Sequence, residues 1–314
     1  MNNCKKPLKI GNVVLANSLI LAPMAGYTDY AMRTLCAISG AGLTVTEMVS
    51  AKGLVYNPEK SGELLHCSPS ESVKCVQLFG HEPEFFEKAL ELELLDKFDI
   101  IDINMGCPVP KIVKSGEGSA LIKNIALASN IVSTCVKKAK GRPVTVKTRI
   151  GFSEGEFVAD EFCKAMQDSG ASAVAVHGRT RAMGYSGQSD IRAIEKVKNA
   201  LTIPVIASGD ANEDNAERLI SGVDGLMIGR SALGNPQIFS TLLGKKWDLS
   251  LKETLFKHID LMNEVYGDRY TYVNMRKHIG YYLKGVPGQK ELKQKLFTII
   301  GVDNLKEEID KSIK

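Results

Sequence analysis

Between residues 18 and 240 the chain alternates short β-rich runs with amphipathic helical stretches eight times over, and few folds accommodate that rhythm. The runs are Leu19–Ala22, Leu43–Glu47, Val73–Leu78, Ile100–Asn104, Val144–Thr148, Ala173–His177, Val205–Ser208 and Gly225–Ile228. The segments between them, such as Phe85–Lys97 and Ala126–Ala139, carry apolar residues at three- and four-residue spacing, the pattern of βαβ units closing on a parallel sheet. Several runs also end in polar groups suited to chemistry: Gln77, Cys107 just past Asn104, Lys147 with Arg149, His177 with Arg179, and Gly229-Arg230. Strands that repeatedly deliver reactive side chains at their C-terminal ends predict an α/β fold, a (β/α)₈ TIM barrel with its active site on that face.

The 314 residues leave room for more than a barrel of about 250 residues. Beyond Phe239 the strand signal stops, so residues 1–240 are expected to form the barrel and 241–314 a small all-helical domain. Its helices are predicted at Leu251–Tyr266, Tyr272–Lys284, Lys290–Ile300 and Asn304–Ile313, with Asp303 as N-cap of the last and Pro287-Gly288 as a break. At the other end, Val13–Ala25 follows several lysines and imitates a signal peptide, but Asn17 and Ser18 interrupt it and Pro23 follows; it reads as a barrel-floor strand leading into the first barrel strand. No apolar run of 18 or more residues occurs, so no membrane partner is expected.

Seven cysteines without any C-x-x-C pair argue against a disulfide framework and a structural zinc site, and for reduced thiols in a cytoplasmic protein. Cys36, Cys75, Cys135 and Cys163 read as small core residues. Residues 245–314 hold 14 Lys and Arg against 10 Asp and Glu, while the rest of the chain is balanced, so the whole net charge of +4 sits in the C-terminal segment. That suits a polyanionic partner docking there, or a solvated helical face.

After the last two barrel strands come Ala207-Ser208-Gly209-Asp210 and Ile228-Gly229-Arg230, where such barrels seat phosphate: glycines let backbone N–H groups approach an anion and Arg230 offers its fork. Ordinary turn glycines are the plain alternative. Gln77 and Lys147 would suit the pyrimidine edge of a reduced flavin, which carries negative charge near N1 and O2. Lys147 could instead form a Schiff base or pair with Asp102. Pro23-Met24-Ala25-Gly26 would back an isoalloxazine ring or simply turn the chain. His177 is a satisfied hydrogen-bond partner or, with Gly178-Arg179-Thr180-Arg181, part of an anion-facing loop. No H-E-x-x-H or other compact ligand cluster is present, so no metal site is expected.

Together these residues resemble the tRNA dihydrouridine synthases, and the similarity covers nearly the whole chain. It runs through Ala22-Pro23-Met24-Ala25-Gly26-Tyr27-Thr28-Asp29, Gln77-Leu78-Phe79-Gly80, Asp102-Ile103-Asn104-Met105-Gly106-Cys107-Pro108 and Gly116-Glu117-Gly118-Ser119-Ala120-Leu121. It continues through Val146-Lys147-Thr148-Arg149-Ile150-Gly151, His177-Gly178-Arg179-Thr180-Arg181 and Met227-Ile228-Gly229-Arg230, then Met275-Arg276-Lys277-His278 and Tyr282-Leu283-Lys284-Gly285 in the tail. The Asn-x-Gly-Cys-Pro run in this order is the specific part, and the subgroup resembled is the bacterial B-type.

The resemblance implies an FMN enzyme that reduces the C5–C6 double bond of particular uridines in tRNA with electrons from NADPH (or NADH); separately, a monomer is expected. Cys107 would donate the proton to C5 as a neutral thiol. Pro23, Met24 and Ala25 would back the flavin, Gln77 and Lys147 would contact its pyrimidine edge, and Ser208, Gly209, Asp210, Gly229 and Arg230 would hold its phosphate. His177 would face flavin or uracil. Asn104, Arg149 and Arg179 would face the substrate base, and Arg276, Lys277 and Lys284 the tRNA. Ser208 departs from the family, which usually has Asn there. On a helix Tyr272–Lys284, Lys277, Tyr281 and Lys284 would share one face, a surface for gripping the RNA backbone while a uridine is extruded. No G-x-G-x-x-G follows a strand, so the nicotinamide donor would bind above the flavin before the RNA arrives. Rival readings are an FMN barrel acting on a free pyrimidine, such as a dihydroorotate dehydrogenase, and a non-catalytic RNA-binding factor.

Overall fold

The computed structural model describes residues 3–313. It opens with an antiparallel hairpin, β1 (Leu8–Ile10) and β2 (Val13–Leu15), turned at Gly11 with φ of 57°. Leu8, Ile10 and Leu15 are buried beneath the barrel and plug its floor. The expected floor strand from Val13 is β2, and it leads after a turn into the first barrel strand, β3 (Leu19–Leu21). Asn17 makes the break: its Nδ2 donates to Gly40 O at 2.9 Å and its Oδ1 accepts from Leu19 N at 3.0 Å, so its side chain fixes the corner.

Seven more strands follow: β4 (Leu43–Ser50), β5 (Lys74–Phe79), β6 (Ile100–Asn104), β7 (Val144–Arg149), β8 (Ala173–His177), β9 (Val205–Ser208) and β10 (Gly225–Ile228). With β3 they form a closed, all-parallel barrel in which β10 pairs with β3. β4 runs past its expected end because a register shift between Val45 and Met48 lets it continue along β5. The helices between strands bury Phe85, Phe86, Ile131, Phe162, Ile194 and similar residues against the outer faces of the sheet.

Side chains alternate across each strand, and every second residue points into the barrel. Low in the barrel these are Ile20, Val45, Cys75, Ile100, Ala173, Ile206 and Met227, packed on the hairpin. One or two steps further along the same strands, the same alternation presents Gln77, Asp102, Asn104, Lys147, Arg149, His177 and Ser208 at the C-terminal end. A dry floor and a polar mouth follow from one period-two pattern.

The chain leaves the barrel through a short helix, Ile238–Leu242, and reaches the helix Leu251–Tyr282, which opens with a Ser250/Glu253 capping box. Gly267 (φ 76°, ψ 171°) is non-helical and divides it, as the two predicted helices require. Helices Gln289–Thr298 and Val302–Ser312 complete a small core of Leu255, Ile259, Met262, Met275, Ile279, Leu305 and Ile309, which Ala31 of the first barrel helix also enters. Two expectations are corrected here. Gly301, not Asp303, is the N-cap of the last helix, and Asp303 lies in its first turn, where its charge still opposes the helix dipole. Lys284 lies beyond the helix, which ends at Tyr282. Among the described residues no helix is long and apolar enough to cross a membrane.

Candidate active site

A chain of hydrogen bonds climbs from the barrel interior to the thiol. Register places Gln77 beside Asp102, Asp102 beside Thr145 and Asn104 beside Lys147. The buried Asp102 carboxylate accepts from Thr145 Oγ1 at 2.5 Å and from Gln77 Nε2 at 2.6 Å. Gln77 Oε1 then accepts from Asn104 Nδ2 at 2.8 Å, and Asn104 Oδ1 accepts the backbone N–H groups of Gly106 (3.2 Å) and Cys107 (2.9 Å). A carboxylate only accepts, so Asp102 fixes which end of the Gln77 amide faces it, Gln77 fixes Asn104, and Asn104 fixes the loop that carries the thiol. Burial pushes the Asp102 carboxyl up, while Gln77, Thr145 and the Lys147 charge pull it back.

The Cys107 carbonyl is held from the other side by Ser119 N at 3.1 Å and Ser119 Oγ at 2.9 Å. Gly118 permits this approach: its φ is 60°, and a Cβ there would lie 2.9 Å from the Cys107 carbonyl oxygen. Cys107 is half-buried, and burial pushes its thiol up, against the opposing pull of Val109 N–H, Arg149 and Lys147. The group is a neutral thiol at neutral pH, and the nearby cations would stabilise its thiolate.

The Lys147 ammonium makes no hydrogen bond or ion pair among the described residues. Burial, then the neighbouring Arg149, draw its ammonium down to about 8. An unpaired cation at a barrel mouth is a strong demand for an anion or a polarised oxygen. His177 is drawn down to about 2 by burial and by Lys147, Arg149, Arg179 and Arg230, so it is neutral. Its Nε2 lies 3.3 Å from Arg179 Nη1, a donor, which places the imidazole proton on Nδ1.

The two buried arginines hold loops. Arg149 Nε donates to Gly106 O at 2.8 Å, and its Nη1 donates to Thr180 O and Gly184 O at 2.9 Å each, lacing the Cys107 loop to the loop after β8. Arg179 donates to Ser186 O (3.0 Å), Gly187 O (2.6 Å) and Asp210 Oδ2 (2.5 Å). Asp210 also accepts from Ser189 N at 2.9 Å and from Arg230 Nη2 at 3.1 Å. Its carboxylate thereby ties Arg230 to Arg179 and the Ser189 backbone, and its carbonyl accepts from Asn215 Nδ2 at 2.9 Å. Arg230 itself is exposed, and Gly209 takes φ of 116°. Ser208 ends β9 beside His177 on one side and Met227 on the other.

Opposite this cationic side, Pro23 and Met24 are half-buried and Ala25 is exposed in a turn closed by Tyr27 N and Thr28 N on Met24 O. Gly26 N–H donates to the buried Glu47 carboxylate. Met24 Sδ and Ala22 Cβ come no nearer than 3.7 Å to where a Gly229 side chain would begin, so an apolar shelf runs from this turn to β10. The shelf, the unpaired Lys147 and the exposed Arg230 fit a planar ring carrying a phosphate tail.

Lys277 reaches this turn from the C-terminal helix, 5.7 Å from the Tyr27 ring centroid, and Tyr281 packs edge-on to Tyr27 at 5.7 Å. The expected shared face of Lys277, Tyr281 and Lys284 is thus split. Its first two members pack on the barrel, because the amphipathic helix buries that side, and Lys284 is exposed past the helix end. Arg276 is half-buried. Three residues not among the predicted site residues join the mouth: Asp102, Glu47 and the exposed Tyr185, whose ring lies 5.7 Å from the Arg149 guanidinium and 5.3 Å from that of Arg230. A tyrosine between glycines in a basic loop was the available signal for the last.

These features define a (β/α)₈-barrel enzyme with a neutral thiol, a half-buried unpaired ammonium and an exposed arginine on one mouth. Comparison with known proteins narrows this. The family model described as "Dihydrouridine synthase (Dus)" matches residues 20–314, and the chain belongs to that family. It is 37% identical over 289 residues to tRNA-dihydrouridine synthase B of Vibrio parahaemolyticus, covering 88% of this chain and 89% of that one. It is 37% identical over 321 residues to probable tRNA-dihydrouridine synthase 1 of Synechocystis, covering 98% and 90%. Among solved structures, a variant of NCR from Zymomonas mobilis shares the fold with a TM-score of 0.57 at 16% identity, covering 85% of this chain and 98% of that one.

Proposed function

We infer that this protein reduces the C5–C6 double bond of uridines in tRNA to 5,6-dihydrouridine, with FMN as resident cofactor and NADPH as electron source. FMN, when bound, would supply hydride to C6 of the uracil. Cys107 Sγ–H gives its proton to C5, so that the base gains one hydride and one proton, and the thiolate later takes a proton from solvent. Met24 and Ala25, on the apolar shelf, would support the ring, and Lys147 and Gln77 would meet its pyrimidine edge. Arg230, aimed by Asp210, would meet the phosphate together with the backbone of Gly209 and Gly229. The neutral His177 offers its Nδ1–H to a carbonyl oxygen without adding charge.

The observation that carries this reading is the neutral Cys107 thiol, on a backbone anchored from both sides, beside the unpaired Lys147 ammonium. Arg149 and Arg179 act chiefly by ordering the loops around the base. Lys277 stands at the rim nearest the flavin-backing turn, and Arg276 and Lys284 extend positive charge outward toward the RNA backbone. The test is tRNA transcribed without modifications, incubated with enzyme, FMN and NADPH. Digestion and mass spectrometry should find dihydrouridine in tRNA and none in free uridine monophosphate; product from the free nucleotide alone would return the chain to the free-pyrimidine enzymes.

A further inference from the structure

Folding assembles a ligand set that no sequence spacing reveals. Asp29 caps the helix Tyr30–Ile38 through Oδ1, which accepts from Met32 N at 3.0 Å, and this leaves Oδ2 turned inward. His258 and His278, from the two halves of the Leu251–Tyr282 helix, meet it there with ring centroids 4.5 Å apart. All three side chains are buried, and Asp29 Oδ2, His258 Nε2 and both nitrogens of His278 have no hydrogen-bond partner. Each residue offers one ligand atom, and these atoms lie within 4.8 Å of one another.

We propose that Asp29, His258 and His278 bind one divalent transition metal ion of the zinc class, clipping the C-terminal helices to the flavin-facing turn of the barrel. Protons alone do not satisfy the cluster. One proton shared between Asp29 and His278 leaves His258 Nε2 without a partner in the buried interior. A cation takes lone pairs from all three residues at once. The separation of Asp29 Oδ2 and His278 Nε2 is 3.4 Å. A tetrahedral zinc with bonds of about 2.0–2.1 Å has ligand edges of about that length. His258 Nδ1 lies 3.1 Å from Tyr282 Oη, an outer partner that fixes the ring and turns Nε2 toward the cluster. Two imidazoles and one carboxylate suit zinc, and the fourth position falls to water. Tyr27 stacks edge-on to His278 at 5.7 Å, so the site sits directly behind the Pro23–Asp29 turn.

The experiment uses the full-length protein without a histidine tag, stripped with a chelator and then loaded with Zn(II) or Co(II) alone. Elemental analysis after removal of excess metal should find one equivalent per chain. The cobalt form should have visible d–d bands without a sulfur-to-cobalt charge-transfer band, which separates this site from adventitious binding at cysteines. His258→Gln and Asp29→Asn should each lose the stoichiometric metal, while Cys67→Ser keeps it. The unfolding midpoint of the wild type should fall on chelation and recover with Zn(II). A folded wild type that retains no metal overturns the proposal and assigns the cluster to a buried water or an ion pair. Cobalt bands of thiolate character, or metal retained by a folded His258→Gln, overturn it equally.

Discussion

Raising the pH from 7 to 9 should weaken FMN binding to the apoprotein about tenfold, with Lys147 as the cause. Burial and Arg149 bring the Lys147 ammonium to about 8 in the ligand-free protein. Its charged fraction therefore drops from about nine-tenths at pH 7 to about one-tenth at pH 9, roughly tenfold. A flavin carrying partial negative charge at its pyrimidine edge favours the ammonium, so affinity is full below pH 8 and is lost as pH rises through it. Arg149, held near 10, keeps its charge over this range. Quenching of FMN fluorescence at constant ionic strength measures the effect. Lys147→Met should bind FMN weakly at every pH, and Lys147→Arg should lose the pH slope, because a guanidinium stays charged. A flat wild-type profile between pH 7 and 9, or the same slope in Lys147→Met, would refute the reasoning.

Asp102→Asn leaves one of two donors, Thr145 Oγ1 or Gln77 Nε2, facing an amide nitrogen, which costs about 1.5–3 kcal/mol in urea unfolding. It should also lower kcat and FMN affinity while the KM for tRNA holds, the split expected of a residue acting through Gln77 and Asn104. Arg230→Ala should weaken FMN but leave riboflavin, which lacks the phosphate, unaffected in a parallel titration. Gly118→Ala forces a side chain at φ of 60° to within 2.9 Å of the Cys107 carbonyl oxygen, and should cut kcat about 100-fold by displacing the thiol while flavin content stays normal.

The barrel was readable because its strands repeat one message, apolar low and polar high at every second residue, and Gln77, Asn104, Lys147 and His177 all obey it. Asp102 obeys it too, yet its role was hidden: only the register of β5, β6 and β7 brings it against Gln77 and Thr145. Arg149 and Arg179 read as substrate-facing cations because their partners are loop carbonyls, which leave no mark on a sequence. The Lys277–Tyr281 face was misread for a different reason. Helical spacing says which residues share a side, and only packing says whether that side meets water or the barrel. The grouping of Asp29 with His258 and His278 joins chain positions more than two hundred residues apart and needed the fold itself.

The most direct test of the central claim separates flavin reduction from transfer to RNA in the Cys107→Ala enzyme. Anaerobically, NADPH should bleach its flavin at the wild-type rate, since the thiol takes no part in that half. On adding unmodified tRNA, reoxidation of the flavin with formation of dihydrouridine should be slower than wild type by about 10²–10⁴-fold, the worth of a positioned general acid. Reoxidation by tRNA at the wild-type rate would contradict the account, and the proton to C5 would have to come from another group.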